Sequence, residues 1–236
     1  MIYSNHNRKR FNRGEKMKKK SKENWVAFGD SITWYHGQKF LDFTKEPGVK
    51  VNGYQYYLEK ELGITVKNEG VSGDTIQQIC QRSLRFDFSD FSGVLYFGGV
   101  NNFNKMPDST FGKIEEIDSD FNEETFCGAY QKMLEDVIVR YPEKRIILII
   151  PYKVYKKELG IMPEKFPQTI KKIASLYSLS CCDLYFESGF NILNFSTYFV
   201  DDDEKVGYYF HLNNLGYEKI SQNLISFLKP FIKEDE

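Results

Sequence analysis

Apolar positions along this chain fall into short continuous runs separated by longer amphipathic stretches. Trp25–Phe28 is the first run and ends in Gly-Asp-Ser, which predicts a strand delivering polar residues at its carboxyl end. Ile64–Lys67 and Gly93–Phe97 predict two more strands, and Leu179–Leu184 a weaker one. Arg145–Ile150 is almost wholly apolar and is stopped by Pro151, the pattern of a parallel strand covered on both faces. Helical spacing occupies the intervals. Val51–Leu62 places Tyr54, Tyr57, Leu58 and Leu62 on one side and closes at Gly63. Asp74–Leu84 reads as a helix with Gly73 or Asp74 near its N-cap, and Glu123–Tyr141 as a strong amphipathic helix. Pro163–Tyr177 carries proline in its first turn. Asn213–Ile232 turns Leu215, Ile220, Leu224, Ile225 and Leu228 toward the core. Residues 103–121 lack a clean period and read as a long loop, a feature more often functional than idle. Strand and helix alternate throughout, which implies an α/β chain with a parallel sheet and helices on both faces.

Composition bounds the picture without naming a chemistry. At 236 residues and 41% hydrophobic, the chain suits one domain with a substantial core. The formal charge of −1 conceals an asymmetry. Residues 1–22 hold nine basic residues and one acid. Taking these from totals of 32 and 33 leaves 23 basic and 32 acidic residues, about −9 for the body. Such a body repels nucleic acid and anionic membrane. The basic head lacks interleaved aromatics beyond Phe11 and has no apolar run behind it, so it reads neither as a nucleic-acid arm nor as a signal peptide. It is expected to be a disordered tail (1–22), or in part non-native sequence upstream of a true start at Met17, leaving 23–236 as a single domain. No stretch is long and apolar enough to span a bilayer. Cys80, Cys127, Cys181 and Cys182 offer neither a disulfide framework nor ligand spacing for zinc, so no metal is expected and a cytoplasmic location is.

The polar residues that carry chemistry sit where the predicted strands end. Gly29-Asp30-Ser31-Ile32-Thr33 follows the first strand, Asn68–Gly73 the second, and Gly99-Val100-Asn101-Asn102 the third, while His211 precedes the last helix. In open α/β sheets these ends converge. Acyl transfer needs a hydroxyl nucleophile, a base to take its proton, and fixed donors for the charge that builds on the substrate oxygen. Ser31, His211, and the Ser31 amide, Gly73 amide and Asn101 side chain meet those needs in that order. His36, only five residues after Ser31, is the rival base, although its place in the loop suits a pocket rim better. Trp34, His36 and Phe103, with Asp30 and Asn102, are the candidate substrate-binding residues.

These blocks resemble those of the SGNH (GDSL-type) hydrolases. Gly29–Thr33, Asn68–Thr75, Gly99–Asn102 and His211–Gly216 fall in that family's order over roughly residues 24–230. The resemblance implies a three-layer α/β/α sandwich on a five-stranded parallel sheet, flavodoxin-like in form. It also implies ester hydrolysis through an acyl-enzyme, with Ser31 as nucleophile, His211 as base and an oxyanion hole of Ser31, Gly73 and Asn101. No cofactor is implied. The partner expected is a small-molecule or carbohydrate ester, above all an O-acetyl or other short acyl group on carbohydrate, with thioesters and lysophospholipids as alternatives.

Two positions depart from the family pattern. Tyr208 stands three residues before the base, where the family has an orienting Asp, and Asn102 replaces an Asp after the block-three asparagine. Loss of the orienting acid alone can cost about 10⁴ in kcat. Either a member of the run Asp201–Glu204 folds back to His211, with Asp203 taken as that acid, or a backbone carbonyl orients the ring. A family member that binds its ligand without turning it over is the rival that Tyr208 favours. A nucleotide- or flavin-binding sheet is a further rival, but neither GxGxxG nor GxxxxGK[ST] occurs.

Overall fold

In the computed structural model, residues 23–201 and 203–232 are described; the expected basic tail lies outside them. Five parallel strands form the central sheet: β1 (Asn24–Gly29), β2 (Thr65–Gly70), β3 (Gly93–Phe97), β4 (Arg145–Ile150) and, later in the chain, β7 (Ser180–Asp183). Their spatial order is β2-β1-β3-β4-β7. The order reverses between β1 and β3, and ligand crevices of open α/β sheets lie at the carboxyl ends beside such a reversal. Residues 25–29 of β1 and all of β3 are buried, because both faces are covered by helices.

The covering helices are α2 (Tyr54–Leu62), α3 (Ile76–Ser83), α5 (Phe126–Arg140), α6 (Lys165–Leu176) and α10 (Asn214–Leu228). Helix α2 ends at Gly63 in the left-handed region, as its sequence predicts. Helix α3 starts at Thr75 rather than Asp74 or Gly73, with Gln78 Oε1 accepting from the Thr75 amide at 2.9 Å. Helix α10 buries Ile220, Leu224 and Leu228, but Leu215 is 58% exposed and lies on the outer face, against expectation. Five residues before Ile220, it is rotated about 140° from it around the helix.

Short elements complete the chain: α1 (Ser31–Trp34), α4 (Val100–Lys105), α7 (Leu184–Glu187), α8 (Phe195–Tyr198) and α9 (Asp203–Val206). The expected loop 103–121 begins as the end of α4 and contains one 3₁₀ turn at Asp108–Thr110. A second, three-stranded sheet was not foreseen. Its strands β5 (Tyr155–Lys156), β6 (Gly160–Ile161) and β8 (Tyr208–Tyr209) are antiparallel and two residues long, too short to carry a period. Among the described residues no helix is long and apolar enough to cross a membrane.

Candidate active site

Ser31 occupies the first position of α1, directly after β1. Asp30 caps that turn, its Oδ1 accepting from the Ile32 amide at 2.9 Å. The sharp strand-to-helix turn is possible because α1 packs tightly on the end of β2: a Cβ on Gly70 would collide with the Trp34 backbone. Tyr217 of α10 donates to the Ile32 carbonyl at 2.8 Å and so ties the last helix to the nucleophile's turn.

His211 precedes α10, whose N-cap is Asn213. Its Nε2 lies 2.9 Å from Ser31 Oγ, and its Nδ1 lies 2.8 Å from Asp201 Oδ1. A carboxylate has no proton to give, so Nδ1 carries the hydrogen and Nε2 is the acceptor that faces the serine hydroxyl. The acid is therefore Asp201, not Asp203, which begins α9. Residues 199–201 run antiparallel to 210–212: Phe199 bridges Leu212, and the Val200 amide donates to the His211 carbonyl at 2.9 Å. Asp201 Oδ2 accepts the Phe210 and His211 amides, both at 2.6 Å, so this fully buried carboxylate has donors on each oxygen. Ser31 is 8% exposed and the His211 side chain 12%, which leaves both reachable from solvent while Asp201 is sealed behind them.

Burial of the imidazole works against protonation. The Asp201 charge and hydrogen bond, with the Asp30 charge, outweigh it and hold the His211 pKa above its ordinary 6.5. Asp30 is itself fully buried, and its Oδ2 has no hydrogen-bond partner among the described residues. Burial pushes its carboxyl up to about 6, against the Ile32 hydrogen bond and the His211 charge.

The three expected donors follow the carboxyl ends of β1, β2 and β3. Among the described residues, the Ser31 and Gly73 amides have no protein acceptor. Gly73 has φ +88°, a conformation that side chains rarely adopt, and this sets the direction of its peptide. Asn101, 7% exposed, gives one amide hydrogen to the Asp74 carbonyl at 3.0 Å, which orients the side chain and leaves the other hydrogen. The Lys105 ammonium rests on the Gly73 carbonyl at 2.9 Å. From there a groove of about 720 Å³ runs along α4 toward the β5–β6 hairpin, lined by Asn102, Phe103, Lys105, Met106, Lys156 and Leu159 among others.

The remaining expected binding residues divide. Phe103 lines the groove and packs edge-on against Phe166 and Phe210. Trp34 is half-buried against Tyr35, whose ring stands 5.3 Å from that of His211. Asp30 does not face a ligand: it caps α1 from the interior. Asn102 touches the groove wall, but its amide is spent on α3, with Oδ1 accepting from Ile76 at 2.9 Å and Nδ2 donating to Gln77 Oε1 at 2.7 Å. His36 turns toward α2, where it meets Gly53 and feels the charges of Glu59 and Lys50; burial lowers its pKa. The hydroxyl of Ser31 is engaged by His211 instead. Tyr208, at the family's acid position, stacks on Phe210 with centroids 4.5 Å apart and stands 6.1 Å from the His211 ring. Burial and the charge of Asp201 push its phenol up to about 12, so it stays neutral.

Two residues were missed in the sequence. Lys105 and Arg82 carry no motif, and only the folded loops show what they touch.

Fold and site together define a hydrolase of the three-layer α/β/α type. The chain belongs to the GDSL-like lipase/acylhydrolase family, whose model matches residues 27–219. Solved structures share the fold at low identity. A protein from Lactobacillus plantarum is 22% identical, with a TM-score of 0.71 over 90% of this chain and 99% of its own. A lipase/acylhydrolase from Enterococcus faecalis is 19% identical, with a TM-score of 0.60 over 91% of this chain and 99% of its own. A catalytic mutant of an acetylxylan esterase from Geobacillus stearothermophilus is 18% identical, with a TM-score of 0.60 over 90% and 97%. A search of curated proteins found no match.

Proposed function

We propose that this chain hydrolyses carboxylic esters through an acyl-enzyme on Ser31, and that its substrates carry O-acetyl or other short acyl groups on carbohydrate. The observation that carries this reading is the unbroken hydrogen-bonded path Ser31–His211–Asp201 at the sheet's reversal point. Ser31 Oγ attacks the ester carbonyl carbon as its proton passes to His211 Nε2. Asp201 keeps the ring in the accepting tautomer and stabilises the imidazolium. The Ser31 and Gly73 amides and the Asn101 side chain receive the oxyanion. His211 then protonates the departing alcohol, and water repeats the sequence to release the acid. The groove beside α4 takes the sugar: Asn104, Lys105 and Lys156 offer polar contacts, and Phe103 an apolar floor.

The name of the Geobacillus neighbour supports the carbohydrate assignment by analogy only. The four cysteines, none of them paired, support a cytoplasmic location. Hydrolysis of 4-nitrophenyl esters of increasing chain length, set beside release of acetate from acetylated xylo-oligosaccharides, tests the reading. Short acyl chains and the acetylated sugar are expected to turn over, and Ser31→Ala to abolish both. Preference for long acyl chains points to a lysophospholipase. Equal rates in wild type and Ser31→Ala defeat the esterase reading.

A further inference from the structure

We propose that Arg82 is a positioning residue for catalysis: its guanidinium holds the strand end that presents Ser31 and the loop that presents Gly73 and braces Asn101 in one fixed relation. The proposal rests on the esterase reading above.

Arg82 lies in the last turn of α3, outside every block that carries the chemistry. Its side chain is 27% exposed, and it reaches inward beneath the active-site loops. Nε and Nη2 both meet Asp74 Oδ2, each at 2.8 Å. Nη1 donates to the Glu69 carbonyl at 2.7 Å, and Nη2 also donates to the Gly29 carbonyl at 3.2 Å. The plane is supported by the Phe28 ring, 5.4 Å from its centroid.

Each partner is next to a catalytic group. Gly29 is the last residue of β1, two before Ser31. Glu69 lies at the end of β2, where the oxyanion loop begins. Asp74 directly follows Gly73, and its carbonyl holds Asn101 Nδ2 at 3.0 Å. One planar group therefore links the nucleophile's strand to two of the three oxyanion donors. A sheet ladder does not supply this link, because β1–β2 pairing ends at Gly29 and Gly70. Beyond that register, among the described residues, the one backbone hydrogen bond from the loop to β1 is the Val71 amide on the Gly29 carbonyl at 3.0 Å.

The residue type matters. Arg presents several donors in a rigid fork, whereas Lys is a flexible point charge that cannot reach three acceptors in fixed directions. Oxyanion donors act only within about 2.7–3.1 Å of the charge they stabilise, so a loop allowed to drift by a fraction of an ångström loses transition-state stabilisation. Ground-state binding in the groove beside α4 does not depend on this clamp.

The test compares Arg82→Gln, Arg82→Lys and Asp74→Asn with wild type on 4-nitrophenyl acetate. Active sites are counted by fluorophosphonate labelling, so that unfolded protein is excluded from kcat. Arg82→Gln is expected to lower kcat per labelled site by about 10–100-fold, the scale for a small misplacement of catalytic groups. KM and the acid limb of the pH profile stay in place, and Arg82→Lys falls between. Combining Arg82→Gln with Asp74→Asn costs no more than Arg82→Gln alone. In ¹H–¹⁵N spectra, which need no turnover, the Gly73 amide and Asn101 side-chain resonances shift in Arg82→Gln while those of α10 do not. An unchanged kcat per labelled site, with the loss confined to Tm and the labelled fraction, overturns the proposal. Unmoved Gly73 and Asn101 resonances overturn it independently. If wild type itself shows no Ser31-dependent turnover, the esterase reading falls, and the resonances alone decide the clamp.

Discussion

Asp201 Oδ1 lies 2.8 Å from His211 Nδ1 although ten residues separate them in the chain. The family's spacing of three puts an acid and its histidine on one short loop. Here an antiparallel pairing of residues 199–201 with 210–212 brings the acid alongside, and the intervening segment is free to carry Tyr208 into a different role. A carboxylate therefore meets the imidazole although the family's usual position for it holds Tyr208.

Asp201→Asn is expected to lower kcat by about 10³–10⁴ without abolishing it, because the tautomer of His211 is no longer enforced. Ser31→Ala and His211→Ala remove turnover. Asp203→Asn stays within about twofold of wild type, since the imidazole's acid is already supplied. Steady-state kinetics on 4-nitrophenyl acetate measure all four. A larger loss in Asp203→Asn than in Asp201→Asn would refute the assignment.

The pH profile of kcat/KM reports the free-enzyme base. The raised pKa of His211 places the acid limb above pH 6.5. Asp30→Asn removes one negative charge that favours the imidazolium, so the limb moves to lower pH with the maximal rate little changed. A limb that stays put in Asp30→Asn means the two groups do not sense each other.

Asp30 also links stability to pH. Its carboxyl binds a proton more tightly in the folded state, about 6 against 3.8. Between about pH 4 and 6 the folded protein therefore holds more protons than the unfolded chain, and stability falls as pH rises through that window. Asn keeps the cap on α1 and carries no charge. Asp30→Asn is expected to gain up to about 2–3 kcal/mol at pH 8 and little at pH 3. Urea denaturation at both pH values measures the difference, and an equal effect at each would exclude the mechanism.

Asn102 is predicted to matter for folding more than for substrate. Asn102→Ala strands the buried Ile76 amide, at a cost of about 1–3 kcal/mol. In a chain of this size each kcal/mol lowers Tm by about 2–4 °C. KM should stay within about twofold, because the side chain's polar atoms face α3 rather than the groove. A calorimetric scan and a KM measurement on the same preparation separate the roles.

His36→Ala should retain wild-type kcat within about twofold, since the Ser31 proton has its acceptor elsewhere. Loss of turnover to the level of His211→Ala would restore His36 as the base.

The five central strands lie within a few residues of where continuous apolar runs predicted them, and the helices between them start and stop near their caps. The placement of Ser31, Gly73, Asn101 and His211 was legible for the same reason. Each sits just past a strand or just before a helix, and in a parallel sheet those points face one edge whatever the loops do. The three-stranded accessory sheet was not legible, because two residues make no period. The direction of single side chains was not legible: Asp30 points inward, His36 turns toward α2, and Asn102 lines the groove but spends its amide on α3.

Sequence alone determined the layer architecture and the edge on which the chemistry collects, since local hydrophobic periodicity and strand ends specify both. Tertiary structure alone decided which acid serves His211, which polar side chains turn inward, and that Arg82 lies beneath the site. Those choices depend on contacts between segments distant in the chain and on the direction of single side chains, neither of which leaves a local pattern.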